Sequence, residues 1–228
     1  MFLEKWDDIP IDIRNEKVKP YYDLLNEKKV SLSIKRIFDI VVSLILLLLL
    51  SPIFLIISSL IKIDSRGPVF FRQVRITKYG RKFQILKFRT MVNHADKIGT
   101  QVTIFNDKRI TKVGAKLRDW RLDEIPQLVN ILQGDMSFVG TRPEVEKYVK
   151  FYSDEMMATL LLPAGVTSEA SIQYKDEAKY LNDAENIDEA YVKKVLPEKM
   201  KFNLRSIQKF TFINDILTIV KTIVAVIK

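Results

Sequence analysis

The sequence predicts an α+β chain, mostly helical, organised around one segment that lies in a membrane. Three observations predict it. Residues 40–61 contain no charged side chain. Immediately after them stand Lys62, Arg66, Arg72, Arg75, Lys78, Arg81, Lys82, Lys87 and Arg89, opposed only by Asp64. Beyond that, short strand-like and helix-like patterns follow one another to the end of the chain.

The 228 residues suffice for one ordinary domain with attachments. With 47% hydrophobic and 29% charged residues the chain is not a disordered one. The net charge of +9 is concentrated beside the apolar run, where it suits anionic lipid headgroups and phosphorylated ligands. There is no DNA-binding motif, and the basic cluster sits where lipid must be, so nucleic acid is not an expected partner. The absence of cysteine excludes disulfides, thiolate catalysis and Cys-based metal sites. A single histidine, His94, gives no His–His ligand pair and reads as a surface helix residue. The first 30 residues are polar and mixed in charge, without a signal peptide, which places the N-terminus in the cytoplasm.

In order along the chain, residues 1–34 form a polar leader, with either a short helix over 21–30 or a partly disordered course. Residues 64–68, Asp-Ser-Arg-Gly-Pro, are a turn signal. Residues 69–74 and 82–88 read as short strands around a turn at Tyr79-Gly80. Short helices are expected over 93–98 and 114–120. Residues 122–132 carry apolar Leu122, Ile125, Leu128, Val129 and Leu132 on one helical face ending at Gly134. A further helix is expected over 144–160, and Pro163-Ala164-Gly165 breaks the chain. A charged, solvated helix is expected over 178–194 and a largely helical end over 197–227. There Phe210, Ile213, Leu217, Val220, Val224 and Ile227 form an apolar stripe. It fits a helix on a membrane surface or one packed on the domain.

The apolar segment, residues 37–63, would be ~40 Å long as one straight helix, against a hydrocarbon core of ~30 Å. A plain spanning helix is therefore one reading. Ser51-Pro52 near its middle supplies the other, because proline removes a hydrogen bond and clashes with the preceding turn. Both flanks are basic, Lys35-Arg36 before and Lys62 and Arg66 after. The positive-inside rule would then put both ends on the cytoplasmic face, with a helix–break–helix hairpin dipping into one leaflet. The two halves, ~21 Å and ~16 Å, are each too short to span alone. Physical reasoning alone leaves both topologies open.

The stretch 118–143 carries the chemistry. Asp123 and Glu124 stand at the predicted helix start, where unpaired N–H groups favour carboxylates and nearby phosphate. Adjacent acids there also serve as plain caps. Arg118, Arg121 and Arg142 bracket them, and arginine forks match phosphate oxygens; ion pairing with Asp119 and Asp135 would be their ordinary use. A carboxylate can hold Mg²⁺ against a diphosphate or attack phosphorus to form an acyl phosphate.

From about residue 34 to the C-terminus the chain resembles the bacterial sugar transferases that act on polyprenyl phosphate, the monotopic phosphoglycosyl transferases, in their short form. Six ordered motifs carry the resemblance. They are Lys35-Arg36-Ile-Phe-Asp39, Ser51-Pro52, Gly67-Pro68-Val-Phe-Phe-Arg-Gln73, Lys87-Phe-Arg-Thr-Met91, Leu122-Asp-Glu-Ile-Pro-Gln-Leu128, and Gly134-Asp-Met-Ser-Phe-Val-Gly140 leading into Arg142-Pro143.

The resemblance implies transfer of a phosphosugar from a nucleotide diphosphate sugar, usually a UDP-sugar, to polyprenyl phosphate, with release of UMP. This is the first membrane step of a glycoconjugate or polysaccharide pathway. By position, Asp123 matches the nucleophile of a covalent aspartyl phosphosugar intermediate and Glu124 the second member of the dyad. Mg²⁺ is the implied cofactor, on Asp123. Arg118 and Arg142 match positions facing the diphosphate, and Lys87 and Arg89 lie in the family's basic motif. Ser51 and Pro52 match the break that makes the membrane helix re-entrant. The implied organisation is a leader at 1–34, a re-entrant helix at 35–64, a catalytic domain at 65–200 on the cytoplasmic face of the inner membrane, and an amphipathic segment at 201–228. Two departures stand out. Thr141-Arg142-Pro143 replaces a common Pro-Arg-Pro, and residues 163–168, Pro-Ala-Gly-Val-Thr-Ser, replace a common Pro-Gly-Ile-Thr-Gly. Donor identity therefore does not carry over, and no motif specifies the oligomeric state. A conventional glycosyltransferase releasing UDP and a non-catalytic lipid-recruiting module are the competing readings.

Overall fold

The computed structural model of the chain describes residues 3–95, 107–175 and 186–227. The leader is not a loose tail. Asn15 Oδ1 accepts hydrogen bonds from the Lys17 and Val18 amides, 3.0 Å each, and turns the chain into helix α1 (Lys19–Glu27). Pro20 in its first turn gives up a donor that would be unpaired anyway. Ile9, Ile13, Val18, Tyr21, Tyr22 and Leu25 then bury themselves against Leu160, Leu161, Leu204 and Ile207 from the far end of the chain. The short helix begins earlier than 21–30 and ends at Lys28, where the axis shifts into α2 (Lys29–Leu49).

Helix α2 is followed by α3 (Ser51–Asp64), and the pair bends by 61° at Leu50. Among the described residues no single helix is long and apolar enough to cross a membrane, though the bent pair meets the test jointly. The bend has a local cause. Pro52 cannot donate to the carbonyl of Leu48 four residues back, and the Ser51 hydroxyl takes that carbonyl instead at 2.8 Å. Helix α2 is also inverted relative to a soluble helix. Lys35, Asp39 and Ser43 face inward and are buried, whereas Leu44, Ile45, Leu48 and Leu49 are exposed. Arg36 caps the far end of α5 (Gln127–Gln133), donating to the carbonyls of Ile131 and Leu132 at 2.6 and 2.9 Å.

Strands β1 (Phe70–Ile76) and β2 (Lys82–Phe88) pair antiparallel, with Phe70 opposite Phe88 and Ile76 opposite Lys82. The turn between them places Tyr79 and Gly80 at φ 58° and 72°. Helix α4 (Lys112–Asp119) starts on Thr111, whose Oγ1 accepts from the Gly114 amide at 3.0 Å. Strands β3 (Met136–Val139) and β4 (Ala164–Thr167) form a second, parallel pair. Gly140, just past β3, and Gly165, within β4, touch so closely that a Cβ on Gly165 would lie 2.2 Å from the Gly140 nitrogen. Short helices α6 (Glu146–Val149), α7 (Glu169–Gln173) and α8 (Ile187–Ala190) lead to α9 (Leu196–Gln208) and α10 (Phe212–Ile227).

Several expected elements change. The helix over 122–132 is split: Pro126 supplies no amide, so a 3₁₀ turn at Leu122–Glu124 precedes α5. It still ends at Gly134, in the left-handed region at φ 89°. The helix over 144–160 shrinks to α6 and a 3₁₀ run at Met156–Leu161, with the chain between them fixed by Asn15 on the Asp154 carbonyl at 3.1 Å. Pro163-Ala164-Gly165, read as a break, enters β4. The helical end divides at 209–211 into α9 and α10. Of the helix expected over 93–98, residues 93–95 form a turn and 96–98 lie outside the described residues. Likewise only 186–194 of the helix over 178–194 are described, and there Tyr191 is buried, not solvated.

Candidate active site

The 3₁₀ turn at Leu122–Glu124 sits where α4, β2 and the segment after β3 converge. Arg121, at φ 55°, reverses the chain out of α4 and turns the two acids inward. Glu124 is held on two sides. Lys87, near the end of β2, donates to its Oε1 at 2.8 Å, and the Arg142 guanidinium grips both carboxylate oxygens. Arg142 also reaches the Val166 carbonyl on β4 at 3.4 Å. Burial pushes the Glu124 carboxyl up, but Arg142 and Lys87 outweigh it and hold the group well below the usual carboxylate range. Glu124 is thus a fixed anion at neutral pH.

Asp123, one residue earlier, is only 7% exposed. Among the described residues its carboxylate accepts no hydrogen bond. Burial raises its pKa, Lys87 pulls it down, and the like charge of Glu124 raises it further; the net direction is upward. Arg118 and Arg142 are the other cations acting on it. Burial lowers the Arg118 guanidinium, with Asp123 as the main opposing charge. The turn therefore presents one neutralised carboxylate and one buried carboxylate with spare acceptor capacity, ringed by cations.

Lys87 is placed by a device the sequence reading missed. The Asn130 amide on α5 accepts from the Leu86 amide and donates to the Gln84 carbonyl, 2.9 Å each, so it pairs with the β2 edge as a strand would. Gln127, one turn after Asp123, is 1% exposed, and neither atom of its amide has a partner. The signal was available: Gln127 and Asn130 are three residues apart, on one face of a helix whose other residues before Gln133 are apolar. Arg89 is placed elsewhere. Its guanidinium donates to the Ser65 and Arg66 carbonyls at 2.6 and 3.0 Å, and it clasps the chain leaving α3 under Gly67. The structure brings Asp123, Glu124, Lys87, Arg118 and Arg142 together and leaves Arg89 apart from them.

No group of three metal-ligating side chains occurs among the described residues. Mg²⁺ is commonly held by one or two carboxylates and completed by substrate phosphates and water. Asp123, with its unused lone pairs, fits that role; Glu124, occupied by two cations, does not.

Comparison with known proteins shows what the chain is similar to. The family model described as "Bacterial sugar transferase" matches residues 30–228. The exopolysaccharide production protein ExoY of Rhizobium meliloti is 33% identical over 207 residues, 84% of each chain. The UDP-glucose:undecaprenyl-phosphate glucose-1-phosphate transferase of Escherichia coli is 35% identical over 227 residues, 97% of this chain and 44% of its own length. A putative undecaprenyl-phosphate N-acetylgalactosaminyl 1-phosphate transferase of Bacillus subtilis is 38% identical over 149 residues, 65% of this chain and 82% of that one. With the family model covering all but the first 29 residues, and the Asp123–Glu124 turn inside it, the chain belongs to the bacterial sugar transferase family.

Proposed function

We propose that this chain transfers a sugar 1-phosphate from a UDP-sugar to a polyprenyl phosphate at the cytoplasmic face of the inner membrane. The observation that carries the reading is Asp123: a buried carboxylate without a hydrogen bond beside a glutamate already neutralised by Lys87 and Arg142. A carboxylate largely withdrawn from solvent and without a protein donor is a competent nucleophile. Its oxygen attacks the phosphorus that bears the sugar. The bond from that phosphorus to the bridging oxygen breaks, and UMP leaves with the electron pair. The acceptor's phosphate oxygen then attacks the same phosphorus and returns Asp123 as a free carboxylate. Arg118 and Arg142 bind the charge on the transferring group, and Lys87 with Arg142 keeps Glu124 from competing for it. Asp123 would hold Mg²⁺, which when bound would supply charge neutralisation for the departing diphosphate oxygens.

The membrane reading rests on the bent pair. Both outer ends of α2 and α3 are fastened to the same body. Lys35 and Arg36 bind the carbonyls of Val139, Ile131 and Leu132, and Asp64 accepts from the Val113 amide at 3.0 Å. Anchoring both outer ends on one body supports their lying on the same side of the bilayer. The apolar outer faces of α2 and α3 would then sit in one leaflet as a re-entrant hairpin.

The chemistry is tested by incubating detergent-purified protein with UDP-sugars and Mg²⁺, with and without polyprenyl phosphate. A burst of UMP equal to the enzyme is expected without acceptor, and turnover with it. UDP as the product would overturn the mechanism in favour of a conventional glycosyltransferase. The hairpin is tested separately with single cysteines at positions 28 and 66, which the cysteine-free chain permits. Labelling by an impermeant maleimide from opposite sides of sealed vesicles would sink it.

A further inference from the structure

A second site lies away from Asp123. A cavity of about 350 Å³ opens in the fork between α9 and α10, where the chain reverses at 209–211. None of Asp123, Glu124, Lys87, Arg118 and Arg142 lines it. Its walls carry two closed ion pairs, Lys35 with Asp215 at 2.5 Å and Lys221 with Glu169 at 2.7 Å. Two further cations, Arg205 and Lys209, line it and are exposed, with no carboxylate partner among the described residues. The cavity therefore carries an uncompensated double positive charge.

Its interior holds an unused acceptor. Asn203 is 4% exposed and lines the cavity, yet its Oδ1 has no donor, and its Nδ2 contacts only the Met200 sulfur at 3.7 Å. A buried amide oxygen without a donor is costly and is normally satisfied. The ligand that completes this site has an anionic group for Arg205 and Lys209 and an O–H or N–H for Asn203. It also has an apolar part. Leu217 lines the cavity and is 52% exposed, continuous with Ile213, Val220, Ile223 and Val224 on the outer face of α10. That face is the stripe expected of a helix lying on lipid.

We propose that the cavity takes the headgroup of one anionic phospholipid bearing hydroxyl donors, its acyl chains running out along α10 into the bilayer. Free phosphate would leave Leu217 and the apolar rim unused. A polyprenyl monophosphate has no headgroup hydroxyl comparable to those of a glycerol ester. The proposal rests on the membrane placement above, not on the phosphotransfer chemistry.

The test measures binding to the full-length protein in zwitterionic detergent, without nucleotide sugar, by native mass spectrometry and titration calorimetry. The probes are dioctanoyl phosphatidylglycerol, dioctanoyl phosphatidylcholine, a short-chain polyprenyl phosphate and inorganic phosphate. Saturable 1:1 binding of the phosphatidylglycerol alone is expected. Asn203→Leu removes the acceptor, and Arg205→Gln with Lys209→Gln removes the charge from an exposed position that does not threaten the fold. Each is expected to weaken binding about tenfold or more. Equal binding of the phosphatidylcholine, displacement by inorganic phosphate or by the polyprenyl phosphate, or unchanged affinity in the Arg205/Lys209 variant would each overturn the proposal. UMP release is read in a separate assay, so failure here leaves the phosphotransfer reading standing.

Discussion

Two buried acidic centres flank the Arg142-Pro143 segment, Glu144 on one side and the Asp123–Glu124 turn on the other. They use the same residue types to opposite ends. Glu144 accepts from the Tyr191 hydroxyl, Lys199 donates to that same hydroxyl at 2.9 Å, and Lys199 stands 3.5 Å from the Glu144 carboxylate. Charges and hydrogen bonds there close on one another. In the other centre Glu124 is closed by Lys87 and Arg142, and Asp123 is left over. A closed centre holds the chain in place; an open one has something left to bind. The difference lies in how completely each carboxylate is satisfied, not in burial, since both centres are removed from water.

The largest break in this comparison is Asp123→Asn. UMP formation is expected to fall by on the order of 10⁴-fold or more, the loss typical of a deleted nucleophile. The same change is expected to raise Tm at neutral pH. An acid whose folded pKa is raised costs stability once pH exceeds the unfolded value, and asparagine removes that buried charge. Loss of both activity and Tm would place Asp123 with the closed type.

Glu124→Gln opens what is now closed. Lys87 and Arg142 lose a partner, at about 1–3 kcal/mol after allowance for their partial exposure. Activity is expected to drop about 100-fold. The acid limb of kcat/KM, which the raised Asp123 pKa puts above the ~3.9 of an ordinary aspartate, should move to lower pH. The like charge is then gone, and the freed cations favour ionised Asp123. A limb that stays in place would separate the two carboxylates. In the wild type, the stability that Glu124 contributes is present above its unfolded pKa of ~4.3 and is lost as pH falls through its depressed folded value.

Gln127→Leu sharpens the boundary of the open centre. Removing two buried amide atoms that have no partners is neutral or favourable for folding. If they serve the reaction, activity falls about tenfold with Tm unchanged; unaltered activity would exclude Gln127 from the site. Glu144→Gln is expected to change activity least, within about threefold, while lowering stability by about 3 kcal/mol because the buried Lys199 ammonium loses its Glu144 counter-charge. A denaturant melt beside the UMP assay reads both.

Much of this was legible in the residues. The apolar run, its proline break and the β1–β2 hairpin follow from local rules, and Gly134 ended its helix where expected. Asp123, Glu124, Lys87, Arg118 and Arg142 were all nominated and do converge. What failed was non-local. Leader residues such as Ile13 and Val18 look unremarkable among charged neighbours, and only Leu160 and Leu204, far along the chain, give them a core to enter. The β3–β4 pair joins two four-residue segments 24 residues apart, too short to show a period of two. Arg89 was grouped with Lys87 because both lie in the basic motif that carries the resemblance. On a strand, residues two apart share a face, but β2 ends at Phe88, and past it Arg89 turns to the Ser65 carbonyl.

The Asn130 amide has a consequence beyond placing Lys87. By occupying the Gln84 carbonyl and the Leu86 amide, it takes the groups through which the free side of β2 could recruit a strand from another molecule. A protein confined to a surface meets its own copies at high local density, and an open strand edge there seeds aggregation. One side chain thus positions Lys87 beside Glu124 and blunts a self-association edge, so replacing Asn130 would be expected to cost solubility as well as rate.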